Sequence, residues 1–261
     1  MDGGVVCFLG VGIGRVGVDS ARSRRRCRVL ASGAPNRRAF KKQLEDGSTR
    51  LCFVGMSNCG KSFRSNQLRE SRGFNMISVD EEIEEAILPE LEALGYKGIE
   101  GMAQWMGFPY EDRFKKNEKK YLEIEERITA SVDPEEGKNF VLDTTGSVIY
   151  MPRPVLQSLR DKFLVVHFLA SDDMVSEMIE NYFKTPKPVS WGDSYNQMDG
   201  EDGDKALRRC YPELLATRRK QYAQLAHVSI PAETSLSYDI SCDDLLEITA
   251  DLLSPCYKSG F

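Results

Sequence analysis

The sequence predicts an α/β fold of three layers, with a parallel sheet between two sets of helices. Strand-like and helix-like segments alternate from about residue 49 onward. Strands separated by helices of this length pair in parallel through right-handed crossovers. The first apolar run, Leu51-Cys-Phe-Val54, leads straight into Gly55-Met56-Ser57-Asn58-Cys59-Gly60-Lys61-Ser62 and then into a helical pattern. Strand, glycine-rich loop and helix in that order form a phosphate cradle.

The elements follow in order. The helix after the loop is expected to run to about Arg72. Phe74-Asn-Met-Ile-Ser-Val79 reads as a second strand, ending at Asp80. Residues 81–94 read as an acidic helix, with Ile83, Ala86, Ile87 and Leu91 spaced for one apolar face. Two more helices are expected over 99–106 and 110–131, broken at Gly107 and Pro109. Phe140–Asp143 reads as a third strand and Phe163–Leu169 as a fourth, followed by a helix from Asp172 to about Phe183. Thr185 to Asp204 is rich in Gly, Pro and Asp and has little periodicity. A helix over roughly 204–226, a last strand and a helix over 242–253 close the pattern, and no internal repeat is visible. Ligands of such sheets sit at the carboxyl ends of the strands. That brings Gly55–Ser62, Asp80 and Asp143 to one edge.

Composition bounds the possibilities. Of 261 residues, 41% are hydrophobic and 29% charged, ordinary values for one globular domain with a tail. No apolar run approaches the ~20 residues that a membrane-crossing helix needs, so no membrane partner is expected. The net charge of -5 conceals an asymmetry, because residues 1–42 hold ten Lys or Arg against Asp2 and Asp19. The acidic remainder argues against broad nucleic-acid binding, which needs a basic face. The basic tail lacks interleaved aromatics for base stacking. Residues 1–48, Arg-rich and acid-poor, are expected to be flexible and have the composition of an organelle transit segment. A plastid location follows if they are one, and a cytoplasmic one otherwise; 255–261 is a short tail. The seven cysteines include no C-x-x-C pair, which favours reduced thiols. Cys59, inside the loop, is either a tolerated variable position or a redox-sensitive thiol, depending on its pKa. A monomer is expected.

Gly55 to Ser62 is a complete G-x-x-x-x-G-K-[ST] motif. Its glycines let several backbone N–H groups aim at one phosphate, and the following helix adds its positive end. Lys61 is then expected at the β- and γ-phosphates of ATP, and the Ser62 hydroxyl on Mg²⁺. Asp80 and Asp143 each end a strand beside this loop, where either suits a proton acceptor or an organiser of magnesium. Asp80 would also suit a helix N-cap. The 185–204 segment suits a lid that excludes water during phosphoryl transfer, with Lys184 and Lys187 beside the phosphate. Of Arg218 and Arg219, one could fork onto a carboxylate while the other faces solvent. His167, Trp105 and its neighbours Met102 and Met106 read as core, and Trp191 as core or pocket frame. His227 has no obvious acid partner.

These residues together resemble the shikimate kinase family over roughly residues 50–254. The phosphate loop matches. Ser78-Val79-Asp80-Glu81-Glu82-Ile83-Glu84 is similar to the family's Asp-x-Asp motif with its following Ile-Glu pair, Ser78 replacing the first aspartate. Phe114-Lys115-Lys116-Asn117-Glu118 is similar to its Phe-Arg-x-x-Glu, and Thr145-Gly146-Ser147 keeps one glycine of a triple. Lys187-Pro188 stands where the lid has Arg-Pro, while Arg218 and Tyr222 match a late Arg and Tyr four apart.

The resemblance implies a P-loop kinase fold over 49–254, a five-stranded parallel sheet in the order 2-3-1-4-5, and a lid at about 184–204. It implies transfer of the γ-phosphoryl of ATP to a hydroxyl of shikimate or a similar small molecule. Lys61, Asp80 and Lys187 would be catalytic, and Asp80, Lys115, Gly146 and Arg218 would touch the acceptor. Ser62 and Asp143 would serve Mg²⁺, Asp143 replacing the aspartate lost at Ser78. Lysine in place of arginine at 115 and 187 turns a bidentate fork into a point charge. Two alternatives stay open: a kinase with another small hydroxylated substrate, and a nucleotide-binding regulator that has lost phosphoryl transfer.

Overall fold

The computed structural model describes residues 35–185 and 187–253, so most of the expected transit segment 1–48, up to residue 34, and the tail 255–261 lie outside the described residues. The chain runs α1 (Arg37–Asp46), β1 (Arg50–Gly55), α2 (Lys61–Arg72), β2 (Asn75–Ser78), α3 (Val79–Ala93), α4 (Gly98–Met106) and α5 (Phe114–Ser131). It continues through β3 (Phe140–Asp143), a 3-10 turn at Val148–Tyr150, α6 (Arg153–Lys162), β4 (Leu164–Leu169) and α7 (Asp172–Lys184). After an irregular stretch come α8 (Gly203–Leu225), β5 (Val228–Pro231), α9 (Ala232–Leu236) and α10 (Cys242–Leu252).

All strand pairs are parallel, and the sheet order is β2-β3-β1-β4-β5. The central strands β1, β3 and β4 are buried almost throughout, as strands covered on both faces must be. α2 packs on β1, β2 and β3 and is joined by α1, α9 and α10, while α6 and α8 pack on β4. The sheet is therefore the middle layer. Register aligns the carboxyl ends: Ser78 pairs with Asp143 across β2–β3, and Phe53 with Asp143 across β1–β3. Gly55 pairs with Phe168.

Several boundaries differ from expectation. The second strand stops at Ser78, whose side chain caps α3 by accepting from the Glu81 N–H. Asp80 thus lies in the first turn of α3, where a carboxylate suits the helix dipole. The apolar face of α3 is Val79, Ile83, Ile87 and Leu91, all fully buried, whereas Ala86 is exposed. The segment expected to be flexible up to residue 48 contains α1, which is capped by Asn36, buries Phe40 fully and packs on α10, where Arg37 and Lys41 pair with Glu247. The folded unit therefore begins before residue 49. Among the described residues, no helix is long and apolar enough to cross a membrane.

Candidate active site

The loop between β1 and α2 closes tightly because two of its residues must be glycine. At Gly55 (φ 150°) a Cβ would stand 2.8 Å from the Phe168 carbonyl oxygen, and at Gly60 (φ 88°) one would stand 3.0 Å from the Ser235 carbonyl oxygen. Asn58 also takes a left-handed conformation, with φ 60°. The Lys61 ammonium is buried and donates to the Gly55 and Met56 carbonyls at 3.1 and 3.0 Å. Cys59 is buried, and that burial pushes its thiol up to about 11, against the pull of Lys61. The neutral, unreactive form therefore dominates at physiological pH.

One cavity of about 360 Å³ opens over this loop. It is lined at the phosphate end by Met56, Ser57, Asn58, Lys61, Ser62 and Lys187. At its other end stand Ser78, Asp80, Glu81 and Glu84 from α3 and its cap, with Gly146 and Arg218. Ile99, Met102 and Tyr121 supply apolar and aromatic wall. Lys187 donates to Asn58 Oδ1 at 2.9 Å, which ties the irregular segment to the loop.

The Asp80 carboxylate opens onto the cavity and accepts from the Tyr121 hydroxyl at 3.3 Å. The surrounding protein raises its pKa, while Lys61, the Tyr121 bond and Lys187 pull it down. Asp143 is buried at the end of β3, and desolvation raises it to about 6 against Lys61 and a hydrogen bond with Ser62. Its Oδ1 has no hydrogen-bond partner. Arg218, buried on α8, donates to Tyr150 Oη at 3.2 Å and to the Ser190 carbonyl, with Gly146 packed against its NH1.

Most candidates are thus brought together: Gly55 to Ser62 form the loop, and Asp80, Gly146, Lys187 and Arg218 line the cavity above it. Lys115 does not join them. It is exposed in the first turn of α5, away from the cavity. Lys184 is also exposed and pairs with Glu180, and Arg219 pairs with Asp172. Trp105 and His167 are buried in the core. So is His227, which burial lowers to about 4. Trp191 is core rather than pocket frame, packed among Tyr182, Tyr195 and Tyr211.

Two residues at this site escaped the sequence reading, Tyr121 and Glu125. Glu125 is fully buried and accepts from the Thr145 and Ser147 hydroxyls. Both hide in the charged run Lys119 to Arg127. The available signal was their four-residue spacing, which places them on one helix face together with apolar Ile124.

No protein-family model matches the chain, and no curated protein matches it. Similar solved structures include shikimate kinase from Bacteroides thetaiotaomicron, 15% identical, covering 78% of this chain and 98% of that one, with a TM-score of 0.49. Shikimate kinase from Acinetobacter baumannii, solved in complex with shikimate, is 19% identical over 82% of this chain and 96% of its own, with a TM-score of 0.45. Shikimate kinase from Aquifex aeolicus is 18% identical over 78% of this chain and 99% of its own, with a TM-score of 0.43. The strand order β2-β3-β1-β4-β5 with the phosphate loop after β1 is a P-loop kinase fold, in the sheet order that the sequence resemblance implies.

Proposed function

We propose that the protein is an ATP-dependent phosphotransferase acting on a hydroxyl of a small molecule. The observation that carries this reading is the single cavity shared by a complete phosphate loop, Lys187 and Asp80. The loop N–H groups and the α2 N-terminus suit the phosphates of ATP. Lys61 and Lys187 suit the charge that spreads over the transferring group, and Asp80 suits orienting and deprotonating the acceptor hydroxyl.

The residues present fit Mg²⁺. Asp143 Oδ1 is buried and unpaired, and the Ser62 hydroxyl is bonded to the same carboxylate. Both are hard oxygen donors. Among the described residues no cluster of three or more metal-ligating side chains occurs, and Mg²⁺ shared with phosphates needs none. When bound, the ion neutralises phosphate charge.

The acceptor itself is read from the far end of the cavity. Shikimate is one candidate. The place of Lys115 outside the cavity favours a second reading, a different polyol, because the carboxylate-binding group that the resemblance implies there is missing from a wall that holds Glu81 and Glu84. ADP release measured with shikimate and a panel of polyols tests both, with Lys61→Ala and Asp80→Asn as controls. Acceptor-stimulated turnover lost in both variants is the expected result. ATP binding without turnover for any acceptor would instead make the chain a nucleotide-binding regulator.

A further inference from the structure

Behind the cavity wall lies a carboxyl group that the transfer step above does not use. Both oxygens of Glu125 are held by hydroxyls: Oε1 accepts from Thr145, and Oε2 from Ser147 at 2.6 Å. The two hydroxyl oxygens stand 2.9 Å apart. Arg218 attracts Glu125 from α8 without forming an ion pair, so an ionised carboxylate here lacks the partner that burial normally demands.

The count of protons is informative. With Glu125 ionised, both hydroxyls point at it and the contact between them holds no proton. With Glu125 protonated, the carboxyl donates to Ser147, Ser147 to Thr145, and Thr145 to the carboxyl, which closes the ring of three contacts. One helical turn earlier, Tyr121 donates to Asp80 Oδ1, and Ser147 is the hydroxyl neighbour that acts on it from the other side. Asp80, Tyr121, Ser147 and Glu125 therefore follow one another from the cavity into the core, and the Tyr121–Ser147 contact gains its proton when Asp80 is protonated and the Tyr121 hydroxyl turns from it to Ser147.

We propose that Glu125 is the proton reservoir of this site, receiving through Tyr121 and Ser147 the proton that Asp80 takes from the acceptor hydroxyl. This rests on the kinase reading of Asp80 given above. Asp80 releases its proton to the Tyr121 oxygen, Tyr121 passes its own to Ser147, and Ser147 passes its own to the Glu125 carboxylate. Each hydroxyl is regenerated, and Asp80 returns to the ionised state. The reverse passage resets the chain once product leaves. Glu125 acts through other groups and is a positioning and proton-holding residue, not one that touches substrate.

Its surroundings suit a group that both takes and returns a proton near neutrality. Burial raises Glu125 to about 7, the Ser147 and Thr145 bonds oppose this, Asp80 on α3 adds to it, and Arg218 on α8 opposes it. Tyr121 on the same helix and Tyr222 on α8 complete the ionisable groups that face it.

Glu125→Gln keeps the shape and hydrogen-bonding capacity but cannot store a proton, and Tyr121→Phe breaks the chain in the middle. Turnover is measured from pH 5.5 to 8.5 with whichever acceptor the panel yields, or as intrinsic ATP hydrolysis. Each variant should lower kcat about tenfold or more with KM within about twofold. The double variant should be no slower than the slower single one. Glu125→Gln should also remove an acidic limb near pH 7 from the profile. Carboxyl-carbon NMR should show Glu125 titrating near neutrality, with a midpoint that moves in Tyr121→Phe. Wild-type kcat and pH profile in Glu125→Gln, or a Glu125 midpoint unmoved by Tyr121→Phe, overturns the reservoir alone. No turnover or hydrolysis under any condition overturns the kinase reading and the reservoir with it.

Discussion

Lys61 and Asp80 differ in what their loss should do, although both line one cavity. Lys61 belongs to the phosphate loop, so Lys61→Ala should weaken ATP binding as well as turnover. In the proposed reaction Asp80 meets the acceptor, so Asp80→Asn should leave ATP binding within about twofold while turnover falls by 10² or more. Calorimetric titration beside the ADP-release assay separates the two, and equal loss of ATP affinity in both variants would contradict the assignment. Glu125 makes a prediction about stability that needs no substrate. Its folded pKa of about 7 lies above the ~4.3 of an unfolded glutamate. The folded state therefore holds the extra proton, and its stabilising effect is present below about pH 4 and lost as pH rises through about 7. Wild-type stability should fall by about 3 kcal/mol on this account, while Glu125→Gln should lack that decline. Urea midpoints of the two proteins compared at pH 5 and pH 8 give the answer, and parallel curves would show that Glu125 stays ionised throughout.

At the scale of elements, the strands and their parallel direction were legible because their apolar runs are continuous and each is followed by a helical period, while the sheet order came only with the family resemblance. The phosphate loop was legible residue by residue, since its chemistry is local. What escaped is tertiary. Arg37–Asp46 looks like a polar, basic tail, and what makes it part of the domain is the burial of Phe40 together with the pairing of Arg37 and Lys41 with Glu247 on α10. α6 and the turn at Val148–Tyr150 carry no long periodic pattern to betray them. Arg64 reads as an ordinary surface arginine, yet it is fully buried and donates to the carbonyls of Thr234, Ser235, Ser237 and Ile240. No spacing rule links residues 170 apart. Phe40→Ala should cost about 3 kcal/mol, the usual loss for a large buried ring. Deleting residues 1–48 should lower the denaturation midpoint below that of a truncation that removes only 1–34. Equal midpoints for the two truncations would mean that α1 contributes nothing to the folded unit.

At the scale of the molecule, the irregular segment between α7 and α8 reaches the cavity with Lys187, Pro188, Val189 and Ser190. Its middle and end are held in place: Trp191 is buried, Arg209 bonds to Asn196 and Glu201, and Asp202 caps α8. Its attachment to the rest of the molecule is narrower. Glu118 on α5 accepts from the Trp191 and Gly192 N–H groups, Arg218 donates to the Ser190 carbonyl, and Lys187 reaches Asn58 of the phosphate loop. A segment held by few bonds and no sheet pairing opens more readily than the core. Two of the bonds just named meet the cavity, so phosphate at the loop should be felt along the whole segment. ATP with Mg²⁺ should slow amide hydrogen exchange at Trp191 and Gly192. Glu118→Ala, which removes the acceptor of both N–H groups, should speed their exchange at least about tenfold, the equivalent of about 1.4 kcal/mol of local stability. Exchange in β1 and β4 should stay as slow as in the wild type, because those strands are closed by the sheet itself. Faster exchange throughout β1 and β4 would show Glu118 to be a support of the whole fold. Unchanged exchange at Trp191 and Gly192 would place the anchor of the segment in the aromatic packing of Trp191.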